Sequence, residues 1–226
     1  IMSMKNAKLR VKGILLDLDG TIVDSKEAYL EAARTAFAAV GQKTVNIELV
    51  TEIPKRLEQS LPINDLMKGI DTKRFLDVYL RAYYQHTAVK TKLIPNVLDT
   101  VKRLSEKARL ALVTMRYVPK KEIAEELEKF GLTRYFQHVT TALETHSPKP
   151  SPEALTECAK QLGIETCECV VVGDSVADIK AGKAAGAITV AVLSGIFSRE
   201  ELEKEKPDLI LENVNKLPDF LESLEK

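Results

Sequence analysis

The chain has 226 residues, and its 33 basic and 33 acidic side chains give a formal net charge of zero. Because the chain has no net positive charge, we expect no nucleic-acid or membrane partner. Any anion-binding site must be formed by a local group of residues. Hydrophobic residues make up 45% of the chain, enough for a sizeable core. No apolar run approaches the roughly 20 residues of a membrane span, and no secretion-signal pattern is present, so we predict a cytoplasmic protein. Residues 1–3 are set aside because Ile1 is not an initiator residue.

The first predicted strand, Ile14–Leu16, is followed by a long helical region. Ser25 is expected to cap the first helix, and Gly41 to end it. No strand pattern interrupts the region, so we predict an all-helical domain, residues 25–93, inserted after the first strand. Its further helical patterns are near Ile47–Glu52, Lys55–Met67 with an interruption at Pro62, and Thr72–Thr87.

From Pro95 onward a first helix is followed by short apolar strands that alternate with helices. This alternation is typical of a parallel sheet covered by helices on both faces. We therefore predict an α/β core domain, residues 1–24 and 94–226, with a Rossmann-like three-layer architecture. The predicted strands are Leu110–Thr114, Val139–Ala142, Val170–Val172, Thr189–Leu193 and Leu209–Leu211. The predicted helices between or after them are Lys120–Phe130, Pro152–Leu162, Val176–Ala185, Arg199–Glu205 and Val214–Leu224.

Polar residues recur where these strands end. Asp17 and Asp19 follow the first strand, Thr114 ends the second, and Asp174 follows another. Lys149 lies in a loop before a helix. Ligands of open parallel sheets bind at the carboxyl ends of the strands, so these residues predict one site.

The carboxylates of that site favour a hard cation. Asp17 and Asp19 leave the strand on the same side, and Gly20 permits a tight turn after them. Close carboxylates repel unless a cation lies between them, and Asp174 adds further oxygen ligands. The three histidines lie elsewhere in the sequence, which argues against zinc. Oxygen ligands in this number predict Mg²⁺.

A cation and a hydroxyl complete the predicted site. Lys149 and Thr114 supply the groups that hold phosphoryl oxygens, and an Asp carboxylate can accept a phosphoryl group covalently. Phosphoryl transfer depends mainly on positioning and charge neutralisation. The residues therefore predict phosphatase chemistry on a small phosphomonoester.

Four stretches carry a family resemblance. They are Asp17 to Thr21 (DLDGT), Thr114 in LALVTMR, Lys149 in SPKPSPEAL, and Gly173 to Asp178 (GDSVAD). In content and order they resemble the motifs of the haloacid dehalogenase superfamily, on its phosphatase side. The Asp at position 19 favours a phosphatase, because true dehalogenases usually carry an aromatic residue there.

The resemblance implies roles for the acidic residues. Asp17 would be the nucleophile that forms an aspartyl-phosphate, while Asp19 would protonate the leaving oxygen and then activate water. Mg²⁺ would be held by Asp17, the backbone carbonyl of Asp19, and Asp174.

The resemblance also assigns the remaining groups. Thr114 and Lys149 would bind the transferring phosphoryl, with Asp178 supporting either the waters of the metal or Lys149. Residues 25–93 would form the small helical cap typical of phosphoglycolate-phosphatase-like members, which closes over substrate.

Two departures from the family bear on substrate choice. Many relatives have Asn and then Lys after the motif Thr, whereas Met115 and Arg116 follow Thr114 here. Arg116 keeps a cation available for an anionic leaving group. In the cap, a Gly-rich stretch is replaced by a segment that contains Lys55 and Arg56. These three basic residues are candidate substrate contacts or simply solvated cations.

Structural explanations stay open for several residues. Thr114 could finish its strand, Lys149 could be solvated, and Asp178 could serve only as a first-turn helix acid. Asp24 is interpreted as the start of the cap linker, and Tyr83 with Tyr84 as core packing rather than a substrate platform. Ser175 lacks the setting of a serine nucleophile.

The three cysteines are expected to be reduced thiols. Cys167 and Cys169 flank a strand, which we favour over half of a soft-metal site because no second pair exists.

Two other functions remain possible. A phosphomutase of the β-phosphoglucomutase type would use the same aspartyl-phosphate, and a non-catalytic metal- or phosphate-binding regulatory protein would keep the scaffold without turnover. The sequence leaves open the substrate, the pathway and whether the protein is a monomer or a dimer.

Overall fold

A computed structural model describes residues 11–224, so the set-aside residues 1–3 lie outside this range. The chain divides into two compact units. Asp24–Lys92 forms one, here called the helical unit, and the described residues on either side form the other, the α/β unit. The chain passes between them through two short paired strands, β2 (Val23–Asp24) and β3 (Lys92–Leu93).

The α/β unit contains a six-stranded parallel sheet whose strands lie side by side in the order β5 (Phe136–Thr140), β4 (Arg109–Val113), β1 (Gly13–Leu16), β6 (Cys169–Gly173), β7 (Ile188–Val192) and β8 (Leu209–Leu211). The central strand β1 pairs with β4 on one side and β6 on the other, so Gly13 lies opposite both Arg109 and Cys169. The α/β prediction is confirmed.

The central strands are buried on both faces. Leu15 and Val171 pack against helix residues such as Leu155 and Ala181, while the alternate residue Leu16 is also fully buried. A strand covered on both faces needs apolar residues at successive positions, which explains the continuous runs in the sequence. The helices of this unit are α4 (Val97–Ser105), α5 (Lys120–Lys129), α6 (Glu153–Gln161), α7 (Val176–Ala184), α8 (Arg199–Lys204) and α9 (Leu217–Leu224).

The helical unit has its own core. Helices α1 (Lys26–Ala39) and α3 (Thr72–Lys90) pack together, with α2 (Ile47–Glu58) against α1. Phe37 and Phe75 contact each other at 4.8 Å between ring centroids. Such aromatic pairs add to the burial that stabilises a small helical core.

The predicted division of the second helix is wrong. Residues 47–58 form one continuous helix through Pro54, and Ser60, just beyond its C-cap residue Gln59, has a left-handed backbone (φ 56°). The Leu61 N–H donates to the Arg56 carbonyl at 2.8 Å, which is the hydrogen bond that closes a Schellman motif. Glycine usually occupies the left-handed position of that motif, so the sequence carried no clear stop signal at Ser60.

The start of α1 also differs in detail from the prediction. Ser25 occupies the N-cap position, but its side chain makes no capping hydrogen bond. The neighbouring Asp24 carboxylate instead accepts from the Lys26 N–H at 3.1 Å, which supports the interpretation of Asp24 as a structural residue. Gly41, with φ 83°, follows the helix end as predicted.

Within residues 11–224, no helix combines the length and apolar character that crossing a bilayer requires.

Candidate active site

The predicted site residues lie at the carboxyl edge of the sheet. Asp17 follows β1, Thr114 follows β4 and Asp174 follows β6. The ladder extends onto the first two of these, because the Asp17 N–H donates to the Val172 carbonyl at 2.9 Å and the Thr114 N–H donates to the Thr140 carbonyl at 3.0 Å. These hydrogen bonds fix the backbone from which the side chains project.

Lys149 is buried at the centre of the site. Its Nζ donates to Asp17 Oδ1 at 2.7 Å, to Asp178 Oδ1 at 2.6 Å and to the Val113 carbonyl at 2.9 Å. An ammonium has three N–H donors, and these three acceptors match them. The alternative of a solvated lysine is wrong, because the residue is only 2% exposed.

Asp178 holds Lys149 from the first turn of α7. Its Oδ2 accepts from the Ser175 N–H at 3.1 Å and from the Ser175 hydroxyl at 2.7 Å, which leaves Oδ1 directed at Lys149. The Ser175 hydroxyl in turn accepts from the Asp178 N–H, completing a capping box. Ser175 is thus a helix cap, in agreement with its exclusion as a nucleophile.

Burial raises the pKa of Asp17 to about 7, with the Asp178 and Asp19 carboxylates adding to the rise and Lys149 opposing it. Burial alone would lower the pKa of Lys149. The adjacent Asp17 and Asp178 carboxylates outweigh that penalty and raise the pKa of Lys149, so the ammonium stays charged.

Three carboxylates are close enough to share a metal ion. One oxygen from each of Asp17, Asp174 and Asp178 lies within 4.8 Å of the others, and all three residues are buried. If all three are ionised, the Lys149 charge leaves two negative charges uncompensated within this set, the amount that a divalent cation carries. Hard oxygen donors and this charge fit Mg²⁺. Asp19 was also expected to bind the metal, but through its backbone carbonyl. Its carboxylate accepts hydrogen bonds from Arg116.

Two glycines let Asp174 approach the first motif loop. A Cβ built on Gly20 would lie 2.5 Å from Asp174 Oδ2, and one built on Gly195 would lie 1.6 Å from it. Gly20 also needs a positive φ of 78°. The neighbouring Ser194 hydroxyl donates to the Gly20 carbonyl at 2.6 Å, joining the loop after β7 to the site.

Asp19 is paired with a buried guanidinium. Arg116 Nε donates to Asp19 Oδ2 and Arg116 Nη2 to Asp19 Oδ1, both at 2.8 Å. On its other side Arg116 Nη1 donates to Glu126 Oε2 at 2.5 Å. Arg116, a candidate substrate contact in the sequence, is only 5% exposed and lies between two carboxylates of its own chain.

Of the two basic candidates in the helical unit, Arg56 has local partners. Arg56 donates to Glu52 at 2.8 Å and to Asp65 at 2.6 Å, and Lys55 is half-buried. Tyr83 is buried and stacks on Tyr29 at 5.3 Å, as expected for core packing.

The cysteines behave as free thiols. Cys169 begins β6 and Cys167 lies in the turn before it, as predicted. Burial raises the pKa of Cys158 to about 12 and that of Cys169 to about 11, so both remain protonated. In the described part of the chain, the only cluster of metal-binding side chains is the aspartate group.

Sequence reasoning missed Gly195 and Glu126. Glu126 had a detectable signal, since it lies on the same stripe of α5 as the buried Ile123 and Leu127. A charged residue on a buried stripe indicates a buried partner. The sequence carries no such signal for Gly195, because only the folded loop brings this residue close to Asp174.

A parallel α/β sheet with aspartates, a lysine and a threonine at its carboxyl edge is an arrangement suited to phosphoryl-transfer chemistry. The family model of haloacid dehalogenase-like hydrolases matches residues 14–192, and the chain belongs to that family. The resemblance drawn from the four motifs is confirmed.

Relatives and solved structures agree with this assignment. The chain is 31% identical to a phosphoglycolate phosphatase from Pseudomonas syringae pv. tomato over 91% of this chain and 78% of the relative. It is 29% identical to the phosphoglycolate phosphatase of Escherichia coli K12 over 92% and 91%. A haloacid dehalogenase-like hydrolase from Streptococcus pneumoniae, 16% identical, superposes with a TM-score of 0.78 over 94% of this chain and 99% of that one, which shows the shared fold.

Gly195→Ala tests the packing around Asp174. The new Cβ would overlap Asp174 Oδ2, so the carboxylate must move. We expect a weaker Mg²⁺-induced rise in melting temperature, and any phosphatase activity should fall by about 100-fold. Asp174→Asn is the reference, and combining the two changes should add little. An unaltered Mg²⁺ response in Gly195→Ala would contradict this role.

The raised pKa of Asp17 predicts a pH-dependent stability without divalent metal. Between its ordinary pKa of 3.8 and about 7 the folded state binds more protons than the unfolded state. The free energy of unfolding contributed by Asp17 therefore falls as pH rises through this window. Urea titrations with a chelator should show that Asp17→Asn gains stability relative to the wild type from pH 4 to 7. A difference that is constant with pH would contradict the assignment.

Proposed function

We propose that the protein is a Mg²⁺-dependent phosphatase that hydrolyses a small organic phosphomonoester through an aspartyl-phosphate on Asp17. The observation that carries the proposal is the buried Asp17 carboxylate held by Lys149 at one oxygen only. Within the described residues, Lys149 is the only side chain that hydrogen-bonds Asp17, and it does so through Oδ1. Oδ2 is therefore available for chemistry.

The first half-reaction would transfer the phosphoryl group to the enzyme. Asp17 Oδ2 attacks phosphorus while the bond from phosphorus to the leaving oxygen breaks, and Asp19 gives that oxygen a proton. Thr114 and Lys149 would hold the transferring phosphoryl group by a hydroxyl and a positive charge.

The second half-reaction would release phosphate. Asp19, now a carboxylate, takes a proton from a water that attacks phosphorus, and the Asp17 carboxylate is regenerated. Mg²⁺, held by Asp17 and Asp174 with the Asp19 backbone carbonyl, would neutralise negative charge when bound. Asp178 would support the site by holding Lys149.

The substrate class is part of the proposal. The names of the relatives support phosphoglycolate, and a sugar phosphate is the second candidate. We assign the helical unit the role of the cap that selects the substrate, with Lys55 and Arg56 as candidate contacts. The reaction would take place in the cytoplasm.

Asp17→Asn should abolish Mg²⁺-dependent phosphate release across a panel of aryl, sugar and carboxylate-bearing phosphates. The amide cannot act as the nucleophile, so we expect a loss of more than about 1,000-fold with the fold retained. Asp24→Asn is the matched control, because the Asp24 carboxylate accepts from the Lys26 N–H at the start of α1 and its replacement should leave the rate unchanged.

The outcomes separate the candidate functions. Isomerised sugar phosphate without free phosphate would indicate the phosphomutase instead. No turnover of any substrate by the wild type would favour the regulatory binding protein. Retention of the wild-type rate in Asp17→Asn would rule out the proposed mechanism.

A further inference from the structure

A buried chain of charges reaches from α5 to the first motif loop. Glu126 lies on α5, Arg116 lies in the loop after β4, and Asp19 lies after β1. Arg116 contacts Glu126 through Nη1 at 2.5 Å and Asp19 through Nε and Nη2 at 2.8 Å each. Only 8% of Glu126 is exposed. A carboxylate buried to this degree is costly unless it has a partner, and Arg116 provides one.

The contact to Asp19 fixes an orientation as well as a charge. A guanidinium that donates two parallel hydrogen bonds to one carboxylate holds that carboxylate in the plane of the guanidinium. The ammonium of a lysine would supply similar charge without fixing this plane.

The backbone of Arg116 is also fixed. Its N–H donates to the Thr114 hydroxyl at 3.2 Å, and its carbonyl accepts from the Ala142 N–H at 3.1 Å. The side chain therefore extends from an anchored point, with Glu126 bonded to the nitrogen that faces away from Asp19. Rotation of the guanidinium would break hydrogen bonds at both of its ends.

We propose that Glu126 and Arg116 are positioning residues that fix the plane of the Asp19 carboxylate, so that the lone pairs not facing Arg116 exchange the proton with the leaving oxygen of the substrate. The inference rests on the proposed function, because it uses Asp19 as the group that protonates the leaving oxygen. Neither residue touches the reacting atoms in this account. Arg116 acts through Asp19, and Glu126 acts through Arg116.

The choice of leaving group tests this proposal. An alkoxide needs a proton as its bond to phosphorus breaks, whereas 2,4-dinitrophenolate leaves without one. The value of kcat/KM reports the steps up to release of the leaving group. Misplacement of Asp19 should therefore lower kcat/KM for an alkyl phosphate and spare it for 2,4-dinitrophenyl phosphate.

In Glu126→Gln we expect kcat/KM to fall by about 10- to 100-fold for an alkyl phosphate that the wild type hydrolyses, with phosphoglycolate tried first. The fall for 2,4-dinitrophenyl phosphate should be less than about 3-fold. Asp19→Asn should show the same selectivity more strongly, and adding Glu126→Gln to it should cause little further loss. Glu125→Gln is the matched control, since Glu125 is the exposed neighbour on the same helix and pairs only loosely with Lys121 at 3.7 Å.

Arg116→Lys keeps the positive charge but loses the paired hydrogen bonds to Asp19. This variant replaces Glu126→Gln in the test if Glu126→Gln does not fold. The same selective loss is expected. Equal losses for both substrates, or no loss for the alkyl phosphate, would overturn the positioning role. These results are distinct from failure of the proposed function, which would appear as an inactive wild type or an active Asp17→Asn.

Discussion

The Lys149 ammonium lies between the carboxylates of Asp17 and Asp178, and the rest of the site is arranged around that contact. Without a cation, these buried carboxylates would repel each other and favour protonation. Burial raises the pKa of Asp17 to about 7, and the Asp178 and Asp19 carboxylates add to the rise while Lys149 opposes it. The negative charge that Lys149 leaves uncompensated in the aspartate cluster fits the proposed divalent cation.

The fold makes this concentration of charge possible. Apolar residues bury β1 on both faces, so the site is built at the end of a rigid strand. Backbone hydrogen bonds continue past the strand ends to Asp17 and Thr114. Loops from distant parts of the chain then complete the site, with Gly195 giving Asp174 room and Arg116 holding Asp19. Stability of the sheet and geometry of the site thus depend on the same strands.

The sequence predicted the sheet well because its strands are continuous apolar runs that end at polar motif residues. The catalytic candidates were also identifiable, since each follows a strand or lies in a loop that precedes a helix. Local backbone geometry and contacts between loops were harder to predict from the sequence. The end of α2 depends on Ser60 adopting a left-handed backbone, which residue type does not indicate. The contact of Gly195 with Asp174 depends on tertiary structure that no local pattern encodes.

The relation of Arg116 to its surroundings shows the same limit. The sequence identified it as a cation near the site, and its position after Thr114 made a substrate contact reasonable. Its two carboxylate partners are 97 and 10 residues away along the chain. Only Glu126, a charged residue on a buried helix stripe, offered a clue to this pairing.

The covalent intermediate on Asp17 is the central claim, and chemical trapping tests it most directly. The wild-type enzyme, mixed with Mg²⁺ and substrate, is quenched in acid and treated with borohydride, which reduces an acyl phosphate to an alcohol. Peptide mass spectrometry should then find homoserine at position 17 only when both substrate and Mg²⁺ were present. Reduction at another residue, or none at Asp17 during active turnover, would contradict the account.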